Sequence, residues 1–133
     1  MSPLTANAAT QADTETVQLL MEAAYTAVGA GLTERANAVF AGLRALRPES
    51  EIPVIGQAVA LMNSGSLVDA TRVLEDEALV INPNSAMARA FLGLTLHLQG
   101  LGAQSRMALE TVISEDTDPA ATALAQSILS GNI

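Results

Sequence analysis

The residues of this sequence whose types could carry out chemistry are not spaced as in any of the common reactive sites. His97 is the single histidine among 133 residues, and there is no cysteine. A metal site needs several ligands, and the chain has no cysteine or second histidine to join His97. We therefore predict no metal ion and no other cofactor, and we interpret His97 as a packed or solvent-facing residue.

Two acidic clusters are the other candidates for chemistry. Glu75, Asp76 and Glu77 are consecutive, and consecutive residues of a helix point in different directions, so they do not form a carboxylate pair. Residues 115–118 lack the spacing, the glycine and the closing glutamate of a calcium-binding loop. Their carboxylates suit the N-terminus of a following helix instead. The sequence has no glycine-rich phosphate loop and no serine-based catalytic motif, so we predict that the protein is not an enzyme.

The composition restricts the kinds of partner. Asp and Glu number 14 against six Lys and Arg, which gives a formal net charge of −8. Nucleic acids and anionic membrane surfaces are recognised by basic patches, so neither is an expected partner. No apolar stretch is long enough to span a membrane, and the first residues lack the features of an export signal. These observations predict a cytoplasmic protein.

The composition favours helices as the elements that position these residues. Half of the residues are hydrophobic, but only 2% are aromatic. Ala and Leu are strong helix formers and favour closely packed helices. Capping residues, glycines and prolines predict helices at about 13–28, 33–46, 50–63, 67–80, 85–98, 103–114 and 120–129. The predicted caps are Asp13 or Thr14, Ser50, Ser85 and Asp118. Residues 1–12 are small and polar and are predicted to form a disordered arm, which leaves 13–133 as one domain.

Small and apolar residues repeat along the chain with a period of 34. Residues 34 apart include Ala24 and Ala58, Gly31 and Gly65, Ala36 and Ala70, and Phe40 and Leu74, while Gly93 follows Ala58 by 35. A period of this length is typical of stacked helical hairpins, each of which buries its apolar face against its neighbours. The sequence therefore predicts an all-α solenoid of three hairpins and a C-terminal capping helix.

This register resembles the tetratricopeptide repeat, which has small residues at positions 8 and 20, a large apolar residue at position 24 and a closing proline near position 32. Position 8 is Ala24, Ala58 and Gly93, position 20 is Ala36, Ala70 and Ser105, position 24 is Phe40, Leu74 and Leu109, and the closing prolines are Pro48, Pro83 and Pro119. Arg89 at position 4 of the third unit and Glu77 at position 27 of the second depart from the apolar pattern, and the third unit is assigned one extra residue.

The segment 41–48, the small size and the acidic, Ala- and Leu-rich composition are similar to the small tetratricopeptide proteins of bacterial type III secretion systems. These include the chaperones of needle and filament subunits and the related Hrp-type assembly proteins of plant pathogens. The resemblance implies a cytoplasmic chaperone that holds an aggregation-prone secretion subunit before export, alone or with a co-chaperone. For Hrp-type members it also implies an alternative role at the envelope.

In tetratricopeptide folds the first helix of each hairpin lines a concave groove. The resemblance assigns ten residues to it: Met21, Tyr25, Val28, Ile52, Ile55, Val59, Met62, Met87, Leu94 and His97. None of the ten is a Lys or Arg, so the groove is not suited to clamp a terminal carboxylate, which must be paired when it is desolvated. An apolar groove suits the apolar face of an amphipathic helix. We therefore predict that the partner is an amphipathic helix of another protein, a secretion subunit.

Other interpretations of the same residues stay open. Apolar residues at helical spacing are more often core than interface, and the groove could be covered by residues 1–12 or by a second copy in a homo-oligomeric scaffold. A structural or envelope assembly protein could instead bind through an acidic convex face, marked by Glu34, Asp69, Glu75 and Glu110. Salt-sensitive binding would favour this last alternative, because exposed charges are screened.

Overall fold

Seven helices make up the part of the chain that the computed structural model describes, which is the backbone of residues 3–133 and the side chains of residues 14–133. They are α1 (Pro3–Gly29), α2 (Thr33–Leu46), α3 (Ile52–Asn63), α4 (67–81), α5 (Ala86–Leu98), α6 (Gly102–Glu115) and α7 (Pro119–Leu129). Helix α4 consists of Leu67–Val73, a π-helical segment Leu74–Ala78 and a last turn Leu79–Ile81. This described part contains no strand, so the all-α class is confirmed.

The helices pair into three hairpins, α1–α2, α3–α4 and α5–α6, and each hairpin packs against the next. Helix α7 packs against α5 and α6 and closes the stack at the C-terminal end. The predicted three-hairpin solenoid with a capping helix is therefore confirmed. Helix α1 begins before the predicted start at residue 13. The predicted disordered arm, residues 1–12, lies outside the residues whose side chains are described and stays a prediction, as does the domain boundary at residue 13.

The three hairpin turns share one backbone geometry. Gly31, Gly65 and Gly100 each have a positive φ, between 78° and 85°, which glycine adopts without the steric cost of a side chain. In each turn the N–H of the next residue donates to a carbonyl five residues earlier, which caps the helix. These bonds are Leu32 N to Ala27 O at 2.8 Å, Ser66 N to Leu61 O at 2.8 Å and Leu101 N to Leu96 O at 2.9 Å. The glycine repeat in the sequence is thus a repeat of helix C-caps.

The second helix of the first and third hairpins carries two large core residues with the same spacing. Phe40 and Leu43 of α2 are both fully buried, and so are Leu109 and Val112 of α6. Each pair is three residues apart, which places both side chains on one face of an α-helix. The first and third hairpins therefore have the same spacing of three residues between their large core residues.

In the middle hairpin the corresponding fully buried residues are Leu74 and Ala78, which are four residues apart. The π-helical segment Leu74–Ala78 spans this interval, and a π-bulge adds one residue to a helix without breaking it. The extra residue of the repeat therefore lies in the second hairpin, and its assignment to the third unit is wrong. Position 27 of the second unit is the buried Ala78, so the assignment of Glu77 to that position is also wrong.

The two charged residues that departed from the repeat pattern both form ion pairs. The Arg44 guanidinium of α2 donates to Glu77 Oε1 at 2.7 Å and to Gln57 Oε1 at 2.8 Å, which links the first two hairpins. Arg89 lies 3.8 Å from a Glu115 carboxylate oxygen and donates to the Pro83 carbonyl oxygen at 2.9 Å. These side chains act at the surfaces between helices, where ion pairs of partly exposed groups contribute about 1 kcal/mol or less.

Three apolar clusters follow one another along the stack. The first is centred on Phe40, the second on Leu74 and the third on Leu109. Small residues bring the helices together, because an added Cβ at Gly56 would overlap the Phe40 ring and one at Gly93 would overlap Leu109. Among the described helices, none combines the length and apolarity that a membrane crossing requires.

Two of the predicted helix caps, Ser85 and Asp118, are confirmed. The other two are wrong, because α1 already begins at Pro3 and the residue that precedes α3 is Glu51 rather than Ser50. Ser85 Oγ accepts from Ala88 N at 3.2 Å at the start of α5. Asp118 Oδ1 accepts from Ala120 N at 3.0 Å and Ala121 N at 3.4 Å at the start of α7, where Pro119 is the first helical residue.

We expect Asp118→Ala to lower the free energy of unfolding by about 1 kcal/mol, because two backbone N–H groups lose their acceptor. Urea unfolding followed by circular dichroism measures this change. Asp76→Ala is a matched control at an exposed carboxylate without a capping role. An equal effect of the two substitutions would show that the lost charge, rather than the lost cap, determines the stability change.

Candidate functional site

A pocket of about 640 Å³ opens between α1, the loop after α2 and the N-terminal end of α3. We call it the α1–α3 pocket. Its apolar wall consists of Val17, Met21, Ile52 and Pro53, and its polar wall consists of Gln18, Glu22, Arg47 and Ser50. Its volume lies within the range of about 300–1,000 Å³ that is common for binding pockets.

Local structure explains why these residues meet. Val17 and Met21 are four residues apart on α1 and therefore share a face. At the other wall, Ser50 N donates to the Arg47 carbonyl oxygen at 3.1 Å and Ser50 Oγ accepts from Ile52 N at 3.2 Å. After this tight turn α3 starts at Ile52, two residues after the predicted cap Ser50, and the Arg47 and Ile52 side chains line the same pocket.

A second pocket of about 240 Å³ adjoins the first. It lies where the loops after α2, α4 and α6 meet, and Ile52 lines both pockets. Its other lining residues are Glu51, Asn82, Asn84, Ser85, Ala86, Met87, Thr117 and Asp118. We call these two pockets, which share Ile52, the trough; Met21 lines the first pocket and Met87 lines the second. Three of the ten predicted groove residues are therefore brought together.

Two other predicted groove residues are part of the core. Val28 is 5% exposed and packs in the cluster around Phe40, while Ile55 is 3% exposed and packs in the cluster around Leu74. Neither side chain is accessible to a partner in this conformation. The repeat positions alone do not distinguish these two buried residues from exposed groove residues. The twist between stacked hairpins decides which side of α1 and α3 the neighbouring helices cover.

The remaining apolar groove residues neither line the trough nor are fully buried in the core. Tyr25 is partly exposed, and its ring meets the Phe40 ring edge-to-face with centroids 5.2 Å apart. Burial raises the pKa of the Tyr25 hydroxyl above its ordinary value, so the residue is neutral at physiological pH. Val59, Met62 and Leu94 are half-buried. Val59 packs against both the first and second clusters, and Leu94 packs against the third cluster.

His97 is exposed on the third hairpin and does not line the trough. It contributes instead to a cavity of about 250 Å³ together with residues of α6 and α7, including Arg106, Leu109 and Ile128. Among the described residues, no group of three His, Asp or Glu side chains is arranged to hold a metal ion.

The α1–α3 space is closed at its far end by a polar contact. Asn63 Nδ2 near the end of α3 donates to the Val28 carbonyl oxygen at 3.0 Å near the end of α1. The two helices are thus tied together at their C-terminal ends. The pocket lined by Met21 and Ile52 lies away from this contact.

Sequence analysis did not identify Val17, Arg47, Ser50 or Pro53 as site residues. Groove positions were assigned on the first helix of each hairpin, whereas Arg47 and Ser50 belong to the loop between hairpins. The signal that could have found Arg47 is its place directly before the closing Pro48. A residue at that point of the repeat lies beside the start of the next groove helix.

Comparison with known proteins agrees with this architecture. Residues 7–131 match the sequence model of a family described as bacterial type III secretion protein, HrpB1_HrpK. Among solved structures, the chain is similar to the Yersinia enterocolitica type III secretion translocator chaperone SycD, crystallised as an alternative dimer. The TM-score is 0.66 at 17% sequence identity, over 89% of this chain and 95% of that chain, so the similarity concerns the fold. A comparison with curated proteins gives no match.

Proposed function

Because this chain belongs to the HrpB1_HrpK family of bacterial type III secretion proteins, we propose that it is a chaperone or adaptor that binds an amphipathic helix of a secretion subunit. The subunit is a needle, filament or other early substrate, held in the cytoplasm before export. The observation that carries the proposal is the trough, in which the apolar side chains of Met21, Ile52 and Met87 line two pockets that share Ile52.

The size of the trough agrees with a helix that inserts several side chains. Full burial of one large aliphatic side chain contributes about 1.5–3 kcal/mol. Ordering a flexible partner segment costs about 2–5 kcal/mol. Two or three anchors are therefore needed for net binding, and the α1–α3 pocket of about 640 Å³ together with its neighbour of about 240 Å³ offers room for them. The thioethers of Met21 and Met87 adapt to anchors of different shape.

Charge substitution at the trough tests this proposal. We expect Ile52→Asp and Met21→Asp to reduce the secretion subunit that copurifies with the tagged protein at least tenfold, because each substitution removes an apolar contact and a bound partner would have to desolvate the new carboxylate. Ile52 is the first residue of α3, where a carboxylate is favourable to the helix dipole. The folded state should therefore tolerate Ile52→Asp, and far-UV circular dichroism should show unchanged helicity.

Two exposed apolar residues outside the trough are matched controls. Val68 lies in the first turn of α4 and is 69% exposed, and Met107 of α6 is 72% exposed. We expect Val68→Asp and Met107→Asp to retain the subunit at the wild-type level. Equal loss in controls and trough variants would contradict the proposed site, and so would full retention by Ile52→Asp.

An assembly role through the acidic convex face is the second candidate. The observation that favours it is that Glu34, Glu75 and Glu110 are exposed and none of them has an ion-pair partner among the described residues. The fourth carboxylate of this face, Asp69, pairs with Arg72 of its own helix. Binding by such a face weakens steeply between low and physiological salt, whereas binding in an apolar trough changes little. The same copurification at two salt concentrations separates the two functions.

A further inference from the structure

Arg47 is the cation of the α1–α3 pocket, and it has no carboxylate partner among the described residues. Its guanidinium donates to the carbonyl oxygen of the adjacent Leu46 at 3.1 Å. Arg44, Arg72 and Arg89 each pair with a carboxylate of this chain. The protein has 14 acidic residues for six basic ones, so an arginine that is left unpaired here does not reflect a shortage of carboxylates.

The surroundings of Arg47 distinguish it from the other unpaired arginines. Arg35 and Arg106 are exposed to solvent, whereas Arg47 is half-buried beside the apolar wall of Ile52 and Pro53. A guanidinium presents five N–H donors in a planar fork that matches a carboxylate. A partner that fills the pocket would remove water from this fork, and an unpaired buried charge is costly. A bound partner that supplies an acceptor at this point would avoid that cost.

Resting on the proposed function, we infer that the partner helix carries an acidic side chain beside its apolar anchors and that Arg47 pairs with it. Glu22 lines the same pocket from α1, while Arg47 belongs to the loop before α3. The acidic edge of the partner helix therefore faces Arg47 in the loop before α3, and its other edge faces Glu22 on α1. Ile52 and Met21 contact the apolar face of the partner helix. The opposite charges of Arg47 and Glu22 determine the orientation of that helix in the trough.

Two synthetic helices test the assignment. Both are stapled peptides of the same length with leucines at i, i+3, i+4 and i+7, and they differ only in having Glu or Gln at the positions that flank the leucines. Fluorescence anisotropy measures their affinity for the purified full-length protein. We expect Arg47→Gln to weaken binding of the Glu peptide about five- to tenfold and to change binding of the Gln peptide less than twofold. The difference between the two peptides isolates the part of the effect that depends on the peptide carboxylates.

Arg35→Gln is the matched control, since it removes the same charge from an exposed unpaired arginine outside the trough. It should leave both affinities within twofold of wild type. If Arg47→Gln acts equally on both peptides, or on neither, while Ile52→Asp abolishes binding, then the role of Arg47 is refuted and the proposed function stands. If neither peptide binds the wild-type protein, both the role of Arg47 and the helix-binding function are refuted.

Occupation of the trough by a second copy is a separate outcome. Sedimentation of the wild-type protein alone would then show a dimer at assay concentration, and Ile52→Asp would convert it to a monomer. That result would overturn the assignment of Arg47 to a partner helix from another protein. We expect the sedimentation behaviour of wild type and Ile52→Asp to be the same.

Discussion

We expect deletion of Asp76 to leave the protein folded and deletion of Ala41 to unfold it, although both residues are exposed and both lie inside a helix. A deletion rotates the following helical residues by about 100°. In α4 the deletion moves Ala78 to the third position after Leu74, which is the spacing of an uninterrupted α-helix. The π-helical turn is thereby removed, and the core residues keep their common face.

Deletion of one residue from α2 disrupts the core. Deleting Ala41 places Arg44 at the third position after Phe40, where the fully buried Leu43 now lies. Burying an unpaired charge and losing a core leucine each cost several kcal/mol, which together exceed the stability of most small domains. Far-UV circular dichroism and thermal unfolding of both deletion variants measure the outcome. Equal damage by the two deletions would show that the π-helical segment is not the inserted residue of the repeat.

The second large effect is expected at a glycine. We expect Gly56→Ala to lower the free energy of unfolding by about 1–3 kcal/mol, because overpacking a filled core forces neighbouring atoms apart. The added methyl group would overlap the Phe40 ring, which is itself fully buried and held against Tyr25. Denaturant unfolding of the purified variant measures the change.

Gly42→Ala is the matched control for this substitution. Gly42 lies inside α2 with no atom within 4 Å of an added Cβ, so alanine should stabilise the helix by about 0.5–1 kcal/mol. The two identical substitutions are therefore predicted to have opposite signs. A stabilising effect of Gly56→Ala would contradict the close packing of Phe40 between the first two hairpins.

Much of the fold follows from local signals in the sequence. The hairpin turns were predictable because Gly31 and Gly65 adopt a backbone conformation that glycine alone accepts without strain, and caps such as Ser85 and Asp118 mark helix starts directly. The π-helical segment was not predictable in the same way. Its sequence, Leu74–Ala78, has ordinary helix formers, and the extra residue becomes visible only when the burial of Ala78 fixes the register.

The site was less predictable than the fold, for a physical reason. Periodicity places Met21, Val28, Ile52 and Ile55 on groove helices, but the angle between stacked hairpins decides which of them the neighbouring helix covers. That angle depends on distant contacts such as Phe40 on Gly56. Arg47 was missed because loop residues follow no helical period, and its position beside Ile52 results from the turn at Ser50.

The most direct test of the central claim is the native mass of the tagged protein purified from a bacterium with an active type III secretion system. We expect a complex of this chain with one small helical subunit that the same system secretes, and we expect the complex to persist in high salt and to be lost with Ile52→Asp. Recovery of the wild-type protein without such a subunit, as a monomer or as a homo-oligomer, would contradict the chaperone or adaptor function.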